Sequence, residues 1–391
     1  MSARAVEEPH RTATPLELLF DLTFVAAVAQ LAGRFAHGLV SDHTTVAADE
    51  FLMVFFAIWW AWMNFTWFAS AYDCDDLAYR IAAFVQMGGV VVLAAGIGPA
   101  FDHGDYAAVS IGYLVMRVGL ISLWVRAAVQ HPAGRLTALR YAGGMATLQL
   151  LWLSRLALGE HATTATFLAL AVLELLVPPW AERRGPTSWH PHHIAERYAL
   201  FTIILLGESV FAATTAVAAV VEDAAGPELV MVSAASLVIV AGLWWLYFSV
   251  PAGVGLEKHR RWSFVWGYGH YLFFAAVAAL GAGFEVVVAA GAGEASGLAA
   301  WAALAAVVVP VAVVMVMLDL LQVPLPGSLP RVRIVTAAAL LSLGTAVLAA
   351  ERFGVTTGVG LVATVVVGAV LADVVAPDQR ASERRKLEVH S

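Results

Sequence analysis

Apolar runs long enough to cross a bilayer recur along the whole chain, each closed by a turn signal. A hydrocarbon core of about 30 Å asks for about 20 apolar residues per helix. No water is available in lipid, so each backbone amide must be satisfied within its own segment or in a closed barrel. Runs of this length therefore mean helices. They predict spans at 15–36, 48–70, 80–99, 106–128, 137–158, 161–178, 196–221, 229–250, 264–287, 297–318, 332–350 and 354–375. The breaks are Gly98-Pro99, His131-Pro132, Pro178-Pro179, Gly226-Pro227 and Pro324-Leu325-Pro326.

Composition points the same way. Hydrophobic residues make up 61% of the chain and charged residues 13%, against about 25% charged in a soluble domain. The reading is an all-α polytopic membrane protein with about twelve transmembrane helices. The single cysteine, Cys74, excludes an intramolecular disulfide, and no CxxC or His/Cys cluster suggests zinc. The first 30 residues lack a signal-peptide pattern, because acids interrupt their apolar segment. No cofactor, metal or nucleic-acid partner is implied.

The basic residues orient the chain. With a cytoplasmic N-terminus, 18 of the 22 Lys and Arg fall on inner loops and helix ends. Arg34, Arg155 and Arg352 fall outside, and Arg117 lies within a helix. The outer loops are acidic, with Asp42, Asp49, Glu50, Asp102, Asp105, Glu222, Asp223 and Glu228. By the positive-inside rule both termini are cytoplasmic, in an inner (plasma) membrane, and the helix number is even.

A weak internal repeat accompanies this pattern. Trp59-Trp60 and Trp244-Trp245 are 185 residues apart, as are Ala94-x-Gly96-x-Gly98 and Ala279-x-Gly281-x-Gly283. Asp21 and Glu208 open corresponding helices 187 residues apart. Two parallel six-helix halves follow, with a pseudo-axis along the membrane normal. The divisions are a cytoplasmic tail at 1–14, a first half at 15–180, a polar cytoplasmic linker at 181–195, a second half at 196–375 and a cytoplasmic tail at 376–391. Chance similarity between apolar segments is the alternative.

Charges inside apolar helices are costly and single out candidate sites. The first helix opens with Thr14 as cap, Pro15 in its first turn and Glu17 completing a capping box. Asp21 follows one turn later on the same face. It is either an interfacial acid pairing with an inner-loop Arg or a protonatable, cation-binding group. Glu208 lies twelve residues from Glu196, roughly 18 Å into its helix and near the midplane. Gly207 beside it permits close approach of a helix or ligand. Arg117, in mid-helix, should face an acid, and Asp21 and Glu208 are the expected partners. Either pairing leaves one acid over to carry a proton.

The segment after the second helix holds Asp73, Asp75 and Asp76, close to Arg80. Oxygen ligands suit Mg²⁺ or Ca²⁺, but capping of the third helix and salt bridges to Arg80 explain the cluster more simply. Trp59 and Trp60 are too deep for an interfacial belt and pack between helices or line a constriction. His270 is a buried residue able to titrate near neutral pH or to serve as a satisfied structural histidine. No Ser/His/Asp triad, HExxH, strand-borne GxGxxG or P-loop is present.

Four blocks together resemble the bacterial low temperature requirement A family. They are Leu16-Glu17-Leu18-Leu19-Phe20-Asp21-Leu22-Thr23-Phe24-Val25; Tyr72-Asp73-Cys74-Asp75-Asp76 with Arg80; Arg197 through Ser209; and Trp244-Trp245-Leu246-Tyr247-Phe248. The likeness covers most of residues 15–285, and the last third matches only in hydropathy. The family often carries an acid after the fourth block, where this chain has Ser249. The resemblance implies a multi-pass membrane protein and no assigned activity. Phe20-Asp21-Leu22-Thr23-Phe24 is also faintly similar to the Phe-Ser-Asp-x-x-Phe signature of endolysosomal potassium channels, which have six-helix repeats.

The leading expectation is a solute or ion transporter using membrane-embedded carboxylates, with Asp21, Arg117, Glu208, Glu17 and His270 as candidate groups. A proton or monovalent cation would move with the solute. The alternatives are a passive cation channel, dimeric in form, and a non-transporting membrane enzyme or lipid-binding protein. The lack of a nucleophile–base pair counts against an enzyme.

Overall fold

The computed structural model describes residues 1–4, 12–41, 43–159, 163–223, 227–295, 297–322 and 329–375. The expected C-terminal tail, the Pro324-Leu325-Pro326 break and Asp42 lie outside them. Among the described residues the chain is helical and irregular apart from two strands of two residues each. These are β1 (Ser2–Ala3) and β2 (Tyr72–Asp73), paired antiparallel.

The helices are α1 (Pro15–Val40), α2 (Thr44–Ala71), α3 (Leu77–His103), α4 (Ala107–Gln130), α5 (Arg135–Leu156), α6 (Thr164–Ala181), α7 (Pro191–Asp223), α8 (Pro227–Phe248), α9 (Ala252–Lys258), α10 (Ser263–Gly291), α11 (Ala300–Gln322), α12 (Leu329–Phe353) and α13 (Val355–Val375). All but the short α9 answer to the twelve expected spans. Among the described residues, 11 helices are long and apolar enough to cross a membrane. The long helix outside that set is α5, which carries Arg135, Arg140 and Arg155.

Two expected breaks are corrected. Helix α3 runs through Gly98-Pro99 and ends at Gly104, whose φ of 65° gives the left-handed cap that glycine adopts freely. Helix α6 runs through Pro178-Pro179 to Ala181. Proline costs a helix one backbone bond and crowds the preceding turn, a small loss when only a turn or so remains to form. Helix α7 begins at Pro191, five residues before the expected start at 196. Proline suits the first helical turn, where its missing N–H has no partner to lose.

The chain divides into two compact units, Met1–Gly38 with His43–Ile204, and Leu39–Asp42 with Leu205–Ser391. The division falls inside α7. In the first unit α3 and α4 meet backbone to backbone. A Cβ at Gly89 would lie 2.6 Å from the Gly112 carbonyl oxygen, and one at Gly96 would lie 2.6 Å from the Val109 nitrogen. Without a hydrophobic force between helices in lipid, such small-residue contacts let packing do the holding. The aromatic residues of α1 and α2 fill the rest. Trp59, Trp60, Trp62, Phe65 and Phe68 are buried, and Phe20 stacks on Phe65 with ring centroids 3.9 Å apart.

In the second unit α10 is buried along most of its length. Gly283 sits against the Ala306 carbonyl of α11, Gly242 of α8 against Val366 of α13, and Gly358 of α13 against Leu304 of α11. Large apolar side chains cover the outside of the helices: Leu150 is 68% exposed and Leu341 76%. Water does not tolerate surfaces of that kind over many helices, whereas a bilayer does.

Candidate functional site

Three sets of charged or titratable side chains lie within the helices. The first is built on the opening turn of α1. The Thr14 amide donates to Glu17 Oε2 at 2.7 Å and the Glu17 amide to Thr14 Oγ1 at 3.3 Å, which is the expected capping box. Glu17 does more than cap. Glu17, Asp21, His193 and Arg197 are all fully buried. Arg197 grips Asp21 with both sides of its fork, Nε to Oδ2 at 3.0 Å and Nη2 to Oδ1 at 2.5 Å. Trp62 Nε1 donates to Oδ1 at 2.7 Å. Arg197 also reaches Thr66 Oγ1 at 3.3 Å and lies 3.4 Å from Glu17 Oε1 through Nη1.

His193 Nε2 is 3.3 Å from Glu17 Oε1. His193 and Arg197 are one turn apart, so α7 presents both on one face. The bidentate geometry is the strong form of a carboxylate–guanidinium pair. Two carboxylates meet one guanidinium here, with the His193 imidazole beside Glu17. Asp21 is thus an ion-pair partner of an arginine that the sequence places at an inner helix end.

The second set corrects an expectation. Arg117 pairs with Glu174 of α6, not with Asp21 or Glu208. Its Nη2 donates to Glu174 Oε2 at 2.6 Å and to Tyr113 Oη at 2.6 Å. Glu174 also accepts Trp60 Nε1 at 2.8 Å and Trp152 Nε1 at 3.2 Å. Arg117 is 3% exposed and Glu174 1%. Asp21 is taken because Arg197 and Trp62 already occupy its oxygens, and Glu208 belongs to the second unit. Trp60 is therefore packed and hydrogen-bonded between helices.

The third set lies in the second unit. Glu208 of α7 and Glu285 of α10 are both half-buried. Among the described residues neither has a cationic or hydrogen-bond partner. Their helices touch nearby, where Gly281 faces Ser209 and Ser209 Oγ donates to the Val277 carbonyl at 3.5 Å. Gly207, expected to admit a close neighbour, is exposed with open space around it. His270 is a satisfied buried histidine. Its Nδ1 donates to the Trp266 carbonyl at 2.8 Å, so its Nε2 accepts from Tyr247 Oη at 3.3 Å.

Outside the helices, the acidic cluster is structural in its contacts. Asp73 pairs its backbone with Ser2 in the short ladder. Asp75 forms a two-pronged bridge to Arg80 at 2.8 Å. Asp76 caps α3 by accepting the Tyr79 amide at 3.0 Å, and it also pairs with Arg126 of α4. Arg80 holds the Asp75 carboxyl below the usual range. Arg126, then the Tyr79 amide, does the same for Asp76. Burial, with the charge of Glu182, pushes the Tyr72 phenol up to about 12. No group of three or more His, Cys, Asp or Glu able to hold a metal ion is present among the described residues.

Sequence reasoning missed Glu174 and Glu285, although the signal that singled out Glu208, a lone acid in an apolar helix, marks both. It also took Arg197 for a topological charge only. The spacing of His193 and Arg197 by one helical turn was available to place them together.

The sequence pattern of the bacterial low temperature requirement A protein family (LtrA) matches residues 12–372 of the chain. The chain is also similar to an uncharacterized protein of Rhizobium meliloti (strain 1021), at 28% identity over 242 residues. That stretch is 59% of this chain and 57% of the relative.

Proposed function

The chain belongs to the bacterial low temperature requirement A family, and on that footing we propose that it is an integral plasma-membrane transporter of a solute or ion. Its coupling acids are Glu208 and Glu285. The observation that carries this reading is two half-buried carboxylates, on membrane-length helices that touch at Ser209 and Gly281, with no cation facing either among the described residues. Two acids in an apolar setting cannot both stay charged cheaply, so the site favours taking up a proton or a monovalent cation. Asp21 and Arg117, each locked in an ion pair, then serve the scaffold.

The same reading keeps both termini cytoplasmic, by the bias of Lys and Arg, and keeps the two six-helix halves. In support of the halves, the third and fourth long helices of each unit meet through glycine against backbone, Gly89 and Gly112 in one and Gly283 against Ala306 in the other. The two six-helix halves are then the moving parts of an alternating-access machine.

The test is flux in proteoliposomes under imposed proton, sodium and potassium gradients. Wild type is compared with Glu208→Gln, Glu285→Gln and Asp21→Asn, each checked for a monodisperse fold. Flux abolished by the first two exchanges, with the fold intact, supports the reading. Saturable flux marks a transporter, and large voltage-driven flux marks a channel instead. Flux unchanged by both Glu exchanges overturns the assignment of the coupling acids.

A further inference from the structure

A cleft with an interior of about 70 Å³ opens in the first unit between α2, α4, α5 and α6. Four helices line it. From α4 and its N-cap come Tyr106, Val109, Ser110 and Tyr113, and from α5 come Gln149, Trp152 and Arg155, at helical spacing. Phe56 and Phe167 complete aromatic walls. The floor adjoins the Arg117–Glu174 pair, through Tyr113 Oη and Trp152 Nε1.

Two features make this a built site and not a packing fault. Gln149 lines the cleft at 3% exposure, and both its Nε2 and Oε1 lack a hydrogen-bond partner. A buried amide without partners costs about 1–3 kcal/mol per unsatisfied group, so its place in the cleft asks for a ligand offering both a donor and an acceptor. Arg155 stands at the other end, its Nε on Thr166 Oγ1 at 3.3 Å and its guanidinium 5.8 Å from the Phe167 ring centre. Among the described residues no acidic side chain lines the cleft. Gln149 and Arg155 are six residues apart, roughly 9 Å along α5.

We infer that this cleft binds an amphipathic organic anion, its anionic group at Arg155, its apolar body between the aromatic rings and a hydroxyl or amide at Gln149. The anion comes either from a free ω-substituted carboxylate or from a lipid whose headgroup is anionic. The inference does not rest on the transport reading, since binding is measured without flux and the residues differ from Glu208 and Glu285.

The test uses the whole protein in phosphatidylcholine nanodiscs, with tritiated 8-hydroxyoctanoate as probe and empty discs subtracted. Octanoate and octane-1,8-diol compete. Wild type is expected to bind saturably and to prefer 8-hydroxyoctanoate over octanoate about tenfold, the worth of about 1.4 kcal/mol. Gln149→Leu, of similar size, abolishes that preference while keeping octanoate binding. Arg155→Gln weakens both acids about tenfold and leaves the diol unchanged. A second arm adds phosphatidylglycerol to the discs. Displacement of the probe, with phosphatidylglycerol retained in native mass spectrometry, identifies a lipid, and no displacement identifies a free solute. Absence of saturable probe binding together with no retained phosphatidylglycerol overturns the inference. So does an unaltered preference in Gln149→Leu.

Discussion

Glu174→Ala removes the carboxylate that gathers Arg117, Trp60 and Trp152. Breaking a buried ion pair by deleting one partner costs about 3–5 kcal/mol, because the remaining charge stays buried. The remaining charge here is a guanidinium 3% exposed, which cannot shed its proton. The reverse deletion, Arg117→Met, leaves a carboxyl that can neutralise itself by binding a proton. Glu174→Ala should therefore cost more than Arg117→Met. The double exchange Arg117→Met/Glu174→Leu should cost less than Glu174→Ala alone, because no unpaired charge remains. Stability would be read by tryptophan fluorescence in a reversible sodium dodecyl sulfate titration of micelle-held protein, and the coupling taken from the double-mutant cycle. The single losses adding to the double within about 0.5 kcal/mol would show that the two groups do not act as a buried pair, and would refute the reasoning.

Trp62→Phe keeps the ring that stacks on Phe201 but deletes the donor to Asp21, so a loss of about 1.5–3 kcal/mol is expected in the same titration, with a smaller loss than for Asp21→Ala. Gly112→Ala, whose new methyl meets the backbone of Leu93, should lower stability by about 1–3 kcal/mol. Gly88→Ala, with nothing within 4 Å, should leave it unchanged, and equal effects would contradict the close α3–α4 contact. Asp76→Ala should cost about 1 kcal/mol of helix capping and speed hydrogen exchange at the Tyr79 amide. Because Arg126 and the Tyr79 amide depress the Asp76 carboxyl, its contribution is complete above the ordinary carboxyl value of about 3.9. That contribution is lost only as pH falls through the lower folded value. Loss of Tyr79 protection already around the ordinary value would show that Arg126 has no hold on it.

The helices were legible because hydrocarbon imposes a length and an apolarity that few other constraints interrupt. What the reading could not fix were the ends, since Pro99 and Pro178-Pro179 look like stops but sit where a helix has few bonds left to lose. The capping roles of Thr14, Glu17 and Asp76 are local, spaced by three residues, and were readable for that reason. The ion pairs are not local. Asp21 meets Arg197 across 176 positions and Arg117 meets Glu174 across 57. Apolar patterning states that a buried charge needs a partner and is silent on which of several helices supplies it. His270 was readable as buried, while its Tyr247 partner on α8 was not.

Helix α5 has a further consequence for how the protein is made. Its two ends and first third carry Arg135, Arg140 and Arg155, and its middle carries the buried amide of Gln149. Arginine is among the costliest residues to partition during insertion, so α5 released alone from the ribosome gains little by leaving the translocation channel. It packs between α4 and α6, and the neighbour on its C-terminal side is synthesised after it. Membrane entry of α5 is therefore expected to depend on α6, the neighbour made after it.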